Sequence, residues 1–344
     1  MAKTRALTEE DVRIRPSRST RPRTKDRPDY SEATQALVIA VDRGRTTCVI
    51  ESEISSTKSP GADGNVAHSP DLVITAMKAR ELGKKSVVVG DRVGLVGDLS
   101  GSEGSLARIV SVAPRTNALT RTVDDAANLE RMIVANVDQM AIVIAAANPE
   151  PRHGFVDRAL VVAYDQRIKP IIILTKCDLD DGAEFISAYD LLDVEVFRTQ
   201  RGADLAEIRE VLRNKKTVLL GHSGVGKSTL VNALVESADR ATGSVNEATG
   251  RGRHTSSSAL ALRLDGDALN QDGWVIDTPG VRSFGVAHVD MQRVLGSFSE
   301  FDEAIEHCPK NCSHNEEACA LNNWPGFTDE NKSRLESLRR LLKS

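Results

Sequence analysis

The feature that most constrains this 344-residue chain is a glycine-rich segment between an apolar run and a helical stretch. The apolar run ends at Leu220, and the helical stretch begins at Lys227. The segment has the P-loop pattern, in which backbone N–H groups and a helix N-terminus face a polyphosphate. The predicted nucleotide-binding residues here are Gly221, His222, Ser223, Gly224, Val225, Gly226, Lys227, Ser228 and Thr229. We expect Lys227 to reach the β and γ phosphate oxygens and Ser228 to coordinate Mg²⁺.

A second phosphate-site motif follows some fifty residues later, where the apolar run from Trp274 ends in Asp277-Thr278-Pro279-Gly280. The carboxylate of Asp277 suits a hard, oxygen-preferring cation. The N–H of Gly280 can reach the terminal phosphate, whose loss would release the loop that follows. Taken alone, this quartet is an ordinary turn. After a P-loop, it indicates support of Mg²⁺ and sensing of the γ-phosphate.

A base-reading motif precedes the P-loop. The predicted strand from Ile171 ends in Thr175-Lys176-Cys177-Asp178. The Asp178 carboxylate can accept hydrogen bonds from N1–H and the 2-amino group of guanine, a pattern that adenine lacks. The Lys176 stem would lie along the base. We therefore predict GTP as the nucleotide, with Thr199 near the start of a loop that closes over the base.

The apolar pattern divides the chain into three architectures. Short β-rich runs separated by glycine-containing turns indicate a small barrel, and strands that alternate with helices beyond Arg121 indicate an α/β sheet. Helices surround a cysteine cluster near the end. The barrel runs are Leu37–Val41, Thr46–Ile50, Leu72–Thr75, Ser86–Val93 and Leu106–Val112. The predicted domains are a basic arm (1–30), a barrel (31–118), an α/β domain (119–287) and a helical domain (288–344).

Composition excludes several other classes of protein. Hydrophobic residues make up 40% of the chain and charged residues 27%, as in ordinary globular proteins. No apolar run reaches the roughly 18 residues that a bilayer crossing requires. The stretch from Met1 to Tyr30 contains no apolar segment of signal-peptide length. We expect a cytoplasmic protein that does not bind membranes.

Charge is unevenly placed near the N-terminus, where the segment from Val12 to Pro28 contains seven basic residues and the single acid Asp26. They are Arg13, Arg15, Arg18, Arg21, Arg23, Lys25 and Arg27. Such an arm lacks the apolar residues needed to fold alone. It is either a solvated terminus or an arm that seeks phosphate groups, whose binding would weaken steeply with salt.

Three of the five cysteines fall within one short stretch that also contains a histidine. The pattern is Cys308-x3-Cys312-x-His314-x4-Cys319. Three thiolates and one imidazole suit tetrahedral Zn²⁺, and four protein ligands leave no open catalytic position. We therefore predict one structural zinc ion, with the neighbouring His307 as the alternative ligand.

The base-reading motif precedes the phosphate loop, whereas most GTPases have the opposite order. With that order, the chain from about Asp91 to Leu321 resembles the circularly permuted ribosome-biogenesis GTPases of the RsgA family. The matching segments are Gly90–Val93, Pro114-Arg115, Asn136–Gln139, Val156–Arg158, Thr175–Asp178, the P-loop, Gly250–Thr255, Asp277–Gly280 and the Cys/His cluster. The spacing of the zinc ligands departs from the family pattern by one residue in each of the two longer gaps.

The resemblance implies an N-terminal OB-fold barrel, a central circularly permuted P-loop GTPase domain and a small C-terminal α-helical zinc-binding domain. It also implies late maturation of the small ribosomal subunit as the process, and the subunit with its rRNA as partners of a monomeric protein. The basic arm then becomes an rRNA-binding candidate. With aromatic residues at only 3%, we expect recognition of RNA shape and phosphate rather than base stacking.

The resemblance also assigns catalytic roles. The segment matching Arg251 to Ser257 is switch I in that family, which makes Thr255 a ligand of Mg²⁺ and His254 the residue that orients the attacking water. Val281 stands where Ras-like proteins place a glutamine and cannot orient water. We expect slow intrinsic hydrolysis that the ribosomal subunit accelerates. The alternatives are an RNA-binding assembly factor with GTP as a structural ligand, a loop histidine at 254 without a catalytic role, and an ATP-using kinase, which Asp178 disfavours.

Overall fold

Short apolar strands close the first part of the chain into a five-stranded barrel. The computed structural model describes residues 30–50, 71–83, 86–122, 130–192, 194–235, 259–264, 273–278 and 289–343. The barrel strands are β1 (Thr34–Asp42), β2 (Arg45–Ile50), β3 (Leu72–Lys78), β4 (Arg92–Gly97) and β5 (Ala107–Val112). Because β1 pairs with both β2 and β4, the order β1-β2-β3-β5-β4 closes on itself. The predicted OB-fold barrel is confirmed.

The barrel core is small and apolar, and it contains Val38, Cys48, Ile74, Leu95 and Ile109. Burial raises the pKa of the Cys48 thiol to about 12, so this cysteine remains protonated and inert at neutral pH.

One predicted barrel strand was wrong, because the fourth strand begins at Arg92 rather than at Ser86. Gly90 has a φ of +89°, and the N–H of Asp91 donates back to the Val88 carbonyl at 3.2 Å. The chain therefore turns before Arg92, and the preceding stretch makes only an isolated bridge at Val89 among the described residues.

An α/β sheet follows the barrel. Its strands are β8 (Gln139–Ala145), β9 (Lys169–Thr175), β10 (Glu195–Arg198), β11 (Lys216–Leu220), β12 (Leu260–Arg263) and β13 (Trp274–Asp277). The order β10-β9-β8-β11-β13 is parallel throughout, and β12 is antiparallel to β13. The pair Ala40 and Leu260 joins β12 to β1 of the barrel. A separate hairpin of β6 (Ala118–Thr122) and β7 (Glu130–Ala135) connects the barrel to this sheet.

Four helices accompany the sheet in the described residues, and the last described segment adds three more. The first four are α1 (His153–Asp165), α2 (Ala183–Ser187), α3 (Ala206–Leu212) and α4 (Lys227–Leu234). The others are α5 (Met291–Leu295), α6 (Asp302–Glu306) and α7 (Asp329–Leu342), with 3₁₀ turns at Ser299–Phe301 and Ala320–Asn322. A capping box between Thr328 and Asn331 begins α7. Among the described residues, no helix is both long enough and apolar enough to cross a bilayer.

The C-terminal helices pack on α1 through one apolar core. Phe298, Phe301, Leu335, Leu338 and Leu341 are all buried, and they belong to the same cluster as the buried face of α1. The leucines of α7 recur three residues apart, which places them on one face of the helix. The apolar side of the amphipathic stretch predicted from Lys332 to Leu342 therefore packs against the α/β domain.

A buried ion pair stabilises the junction of the barrel with the rest of the chain. The side chain of Asp91 is fully buried. Arg115 donates to both oxygens of that carboxylate, at 2.7 and 2.8 Å, and to the carbonyl of Ser86 at 2.7 Å. A β-carbon added at Gly90 would lie 2.0 Å from the carbonyl oxygen of Ala135 in β7, so glycine permits this close approach. Asp91 and Arg115 thus explain two of the motifs noted in the sequence.

Replacing Arg115 by alanine would leave the Asp91 carboxylate buried without its bidentate partner. We predict a loss of about 3 kcal/mol in the free energy of unfolding, measured by urea denaturation. The control is Arg108→Ala, which removes an exposed arginine from β5 of the same barrel and should change stability by less than about 0.5 kcal/mol. Equal stability of the two variants would contradict this role.

Candidate functional site

The strand order places a crevice between β8 and β11. The chain runs from β8 outward to β9 and β10, and then returns to place β11 on the opposite side of β8. Ligands of open α/β sheets bind at such a switch point, beyond the carboxyl ends of the parallel strands. Because β8, β9, β11 and β13 are parallel, the residues that follow each of them meet at this one edge.

The P-loop turns sharply between β11 and α4. Gly224 and Gly226 have φ values of +84° and +89°, a region that L side chains rarely adopt. A β-carbon on Gly221 would lie 2.6 Å from the carbonyl oxygen of Val143 in β8, so only glycine fits against that strand. Ser223 and Ser228 are exposed, and α4 begins at Lys227. The loop therefore presents backbone N–H groups, a hydroxyl and a helix N-terminus to one anion.

The side chain of Lys227 contacts residues at the end of β13. Its ammonium group donates to the carboxylate of Asp277 and, at 3.2 Å, to the carbonyl of Thr278. Thr278 is buried, and its hydroxyl donates to the carbonyl of Leu219 in β11 at 2.8 Å. The predicted phosphate-reaching lysine and the predicted magnesium-supporting aspartate thus lie together. Gly280 and the predicted switch I residues His254 and Thr255 lie outside the described residues.

The base-reading segment contacts the P-loop directly through Thr175. This threonine is buried, and its hydroxyl donates to the carbonyl of Val225 at 2.5 Å, with the Ile144 carbonyl 3.1 Å away. Asp178 is exposed at the same edge of the sheet. One short hydrogen bond therefore ties the segment predicted to read the base to the loop predicted to bind the phosphates.

Two neighbours shape the base-reading segment. The N–H of Cys177 donates to the carbonyl of Thr199 at 3.2 Å, and the N–H of Thr199 donates to the carbonyl of Leu174 at 2.8 Å. The loop after β10 thus begins beside the segment, and its closure over the base stays a prediction. Burial raises the pKa of the Cys177 thiol, which therefore stays protonated at neutral pH.

The loop between β8 and α1 also borders the site, which the sequence did not indicate. The ammonium group of Lys176 donates to the carbonyl of Asn148, and Pro149 lies 3.8 Å from the position of a β-carbon on Gly224. Phe155 in the first turn of α1 packs on the ring of His222, with centroids 4.3 Å apart. An Asn-Pro pair three residues after the end of a buried strand was the available signal, because loops after parallel strands share the ligand-binding edge.

The Cys/His cluster forms a second site. The Sγ of Cys308 lies 3.6 Å from Nδ1 of His314 and 3.8 Å from Sγ of Cys319, and His314 Nδ1 lies 3.9 Å from Cys319 Sγ. All four ligand atoms, including that of Cys312, lie within 4.8 Å of one another. Zinc bonds of about 2.3 Å to sulfur and 2.0 Å to nitrogen give tetrahedron edges of about 3.5 Å between sulfur and nitrogen and about 3.8 Å between two sulfurs. Cys308, His314 and Cys319 therefore have the spacing of three tetrahedral ligands, and Cys312 lies close enough to supply the fourth after a small shift.

His307, the alternative ligand, lies outside this group of four. Its Nδ1 lies 2.9 Å from the carbonyl oxygen of Glu303, and its ring packs against Trp324 at 4.9 Å. Burial lowers the pKa of His314, which favours the neutral imidazole that binds metals.

Together, the crevice, the phosphate loop and the strand order define a P-loop nucleotide-binding domain whose two halves occur in exchanged order along the chain. Residues 112–287 match the family model described as RsgA GTPase. The small ribosomal subunit biogenesis GTPase RsgA of Pseudomonas aeruginosa strain LESB58 is 36% identical over 249 residues, covering 69% of each chain. The protein of the same name from Chlorobaculum tepidum is 34% identical over 250 residues, covering 70% of this chain and 79% of its own.

Two solved structures have the same fold. The first is YjeQ from Thermotoga maritima, with a TM-score of 0.58 and 23% identity over 90% of this chain and 99% of its own. The second is YloQ, described as a circularly permuted GTPase, with a TM-score of 0.57 and 22% identity over 91% of this chain and 96% of its own. The chain belongs to the RsgA GTPase family and is a circularly permuted GTP hydrolase.

Proposed function

We propose that this protein binds the small ribosomal subunit late in its maturation and hydrolyses GTP to GDP and phosphate there, with the subunit stimulating hydrolysis. The relatives named above support the process and the partner. The single observation that best supports the proposed chemistry is the hydrogen bond from Lys227 to the carboxylate of Asp277, next to which Ser228 is exposed in the chain. One amine, one carboxylate and one hydroxyl converge where the P-loop would hold the phosphates.

The residues of the site have different roles in the proposed hydrolysis. The P-loop N–H groups and Lys227 neutralise the charge that develops on the phosphate oxygens, and this positioning and charge stabilisation account for most of the rate. Ser228 and Asp277 offer the oxygen donors that Mg²⁺ prefers, and Thr255 would complete this set. The bound ion would neutralise the β and γ oxygens. Asp178 selects guanine through its two acceptor oxygens.

Stimulation by the subunit follows from the switch residues. We assign the orientation of the attacking water to His254 and the contact with the terminal phosphate to Gly280, both outside the described residues. Val281 provides no polar group for the water. Ordering of the His254 loop by the subunit would therefore raise the rate.

The remaining parts of the chain supply contacts to RNA. The basic arm, the barrel and the Cys/His domain would recognise rRNA by phosphate and shape. We propose that Cys308, Cys312, His314 and Cys319 hold one structural zinc ion, because soft thiolates and a neutral imidazole form its preferred donor set. The protein would act as a cytoplasmic monomer.

Multiple-turnover GTP hydrolysis tests the proposed activity. Purified small subunits should raise the rate of the parent protein by at least about tenfold, and Lys227→Ala should abolish both basal and stimulated hydrolysis. The matched control is Lys169→Ala, which removes an exposed lysine at the amino end of β9, away from the crevice.

Bound GTP without any stimulation would contradict the proposal. That result would favour an RNA-binding assembly factor in which GTP is a structural ligand. Turnover of ATP at the same rate as GTP would contradict the role of Asp178.

Metal analysis of the purified protein tests the zinc site. We predict one zinc ion per chain, and Cys319→Ser should lose it because serine replaces a buried thiolate ligand. A chelator should lower the unfolding midpoint of the parent protein to that of this variant. The control is Cys48→Ala, which removes a buried cysteine in the barrel and should retain the metal. Zinc retained by Cys319→Ser at full stoichiometry would contradict the assignment.

A further inference from the structure

Asp157 in α1 is a buried carboxylate to which the proposed hydrolysis assigns no role. Its side chain is 4% exposed, and its Oδ2 lies 3.2 Å from Nε of Arg340 in the last turn of α7. This contact is an ion pair rather than a hydrogen bond, because neither Nε of Arg340 nor the other oxygen, Oδ1, has a hydrogen-bond partner in the described part of the chain. Burial raises the pKa of Asp157, and the positive charge of Arg340 opposes that rise. A charge from the C-terminal helix thus compensates a buried charge in the GTPase domain.

Arg340 also contacts the segment that follows α2. A guanidinium N–H donates to the carbonyl of Ala188 at 3.0 Å, and the guanidinium carbon lies 5.0 Å from the ring centroid of Tyr189. Such stacking of a cation on an aromatic face is stabilising, more so where water is excluded. One arginine therefore binds both α1 and the segment after α2.

Both of these segments are connected to the nucleotide site. Phe155, two residues before Asp157, packs on His222 of the P-loop at 4.3 Å. The α2 helix follows the base-reading segment through a short turn in which the N–H of Gly182 donates to Asp180 at 2.7 Å. The two segments also touch each other, because Nδ1 of His153 lies 3.1 Å from the Tyr189 hydroxyl.

We infer that Asp157 and Arg340 are positioning residues for nucleotide binding. Arg340 pairs with Asp157 in α1 and also contacts Ala188 and Tyr189, so it holds α1 next to the segment after α2 and thereby maintains the spacing between the P-loop and the base-reading segment. Neither residue is assigned a contact with the nucleotide, and both act through the packing of these helices. The inference rests on the nucleotide site proposed above.

The residue next to Arg340 extends this connection to the Cys/His loop. Arg339 donates to the carbonyl of His314 at 2.9 Å and to Oδ1 of Asn322 at 2.6 Å. Of these two adjacent arginines of α7, Arg339 therefore contacts the proposed zinc loop and Arg340 contacts the GTPase domain. The nucleotide site is thus linked through a single helix to the domain that we expect to contact rRNA.

Equilibrium binding of a fluorescent GDP analogue, well below the unfolding midpoint, tests the inference. Arg340→Ala should weaken binding by up to about tenfold, because Asp157 then remains buried without its counter-charge. Arg340→Lys keeps the charge but loses the forked contacts, and should fall between the parent and the alanine variant. It also remains informative if Arg340→Ala fails to fold.

A double variant separates positioning from simple loss of stability. Asp157→Asn with Arg340→Met leaves no charge buried alone, so its affinity should recover toward that of the parent protein, and the two single effects should not add. The control is Lys332→Ala, which removes an exposed positive charge from the same helix and should bind GDP normally.

The binding measurements distinguish two failures. If Arg340→Ala and Arg340→Lys bind the analogue within about a factor of two of the parent, while Lys227→Ala does not bind, the positioning role is wrong and the nucleotide site stands. A fall in the unfolding midpoint alone would then identify the ion pair as merely structural. If Lys227→Ala binds normally, the proposed nucleotide site is itself wrong, and the inference fails with it.

Discussion

The parallel pairing of β8 with β11 is the constraint on which the site depends. It joins Gln139–Ile142 to Thr217–Leu220, segments separated by more than seventy residues, and so unites the half of the domain that we expect to read the base with the half that we expect to bind phosphate. The fit of Gly221 against Val143 and the hydrogen bond from Thr175 to Val225 both require this pairing. The order of the two halves along the chain can therefore be exchanged while the site keeps its geometry.

The exchanged order of the two halves also changes which other domains are joined to the elements of the nucleotide site. The segment after β13 leads to the C-terminal helices, which pack on α1 behind the P-loop. On the other side, β12 pairs with β1 of the barrel through Leu260 and Ala40, a few residues after the segment that resembles switch I. Two domains that we expect to contact rRNA therefore border the elements expected to change with the nucleotide.

Local chemistry made much of the fold and of the site predictable. The P-loop and Asp277 could be predicted from short segments, because their residue spacing and the strands beside them identify such motifs. The Cys/His cluster was predictable for the same reason, since it lies within twelve residues. The predicted strand from Ser86 to Val93 was wrong because it ran through the turn signal Gly90-Asp91, where the positive φ of Gly90 interrupts the strand. The contact of Asp157 with Arg340 was beyond sequence reasoning, since it spans 183 residues and depends on how α7 packs.

If Asp178 reads guanine at a site shared with the P-loop, then changing this one residue should change which base the protein binds. Asp178→Asn replaces one acceptor oxygen with a donor, which no longer complements the 2-amino group of guanine but complements the 2-oxo group of xanthine. Binding of GTP and of xanthosine triphosphate should be measured for both proteins. We predict that the affinity of the variant falls for GTP and rises for xanthosine triphosphate, each by at least about a hundredfold. Unchanged GTP affinity in the variant would contradict it.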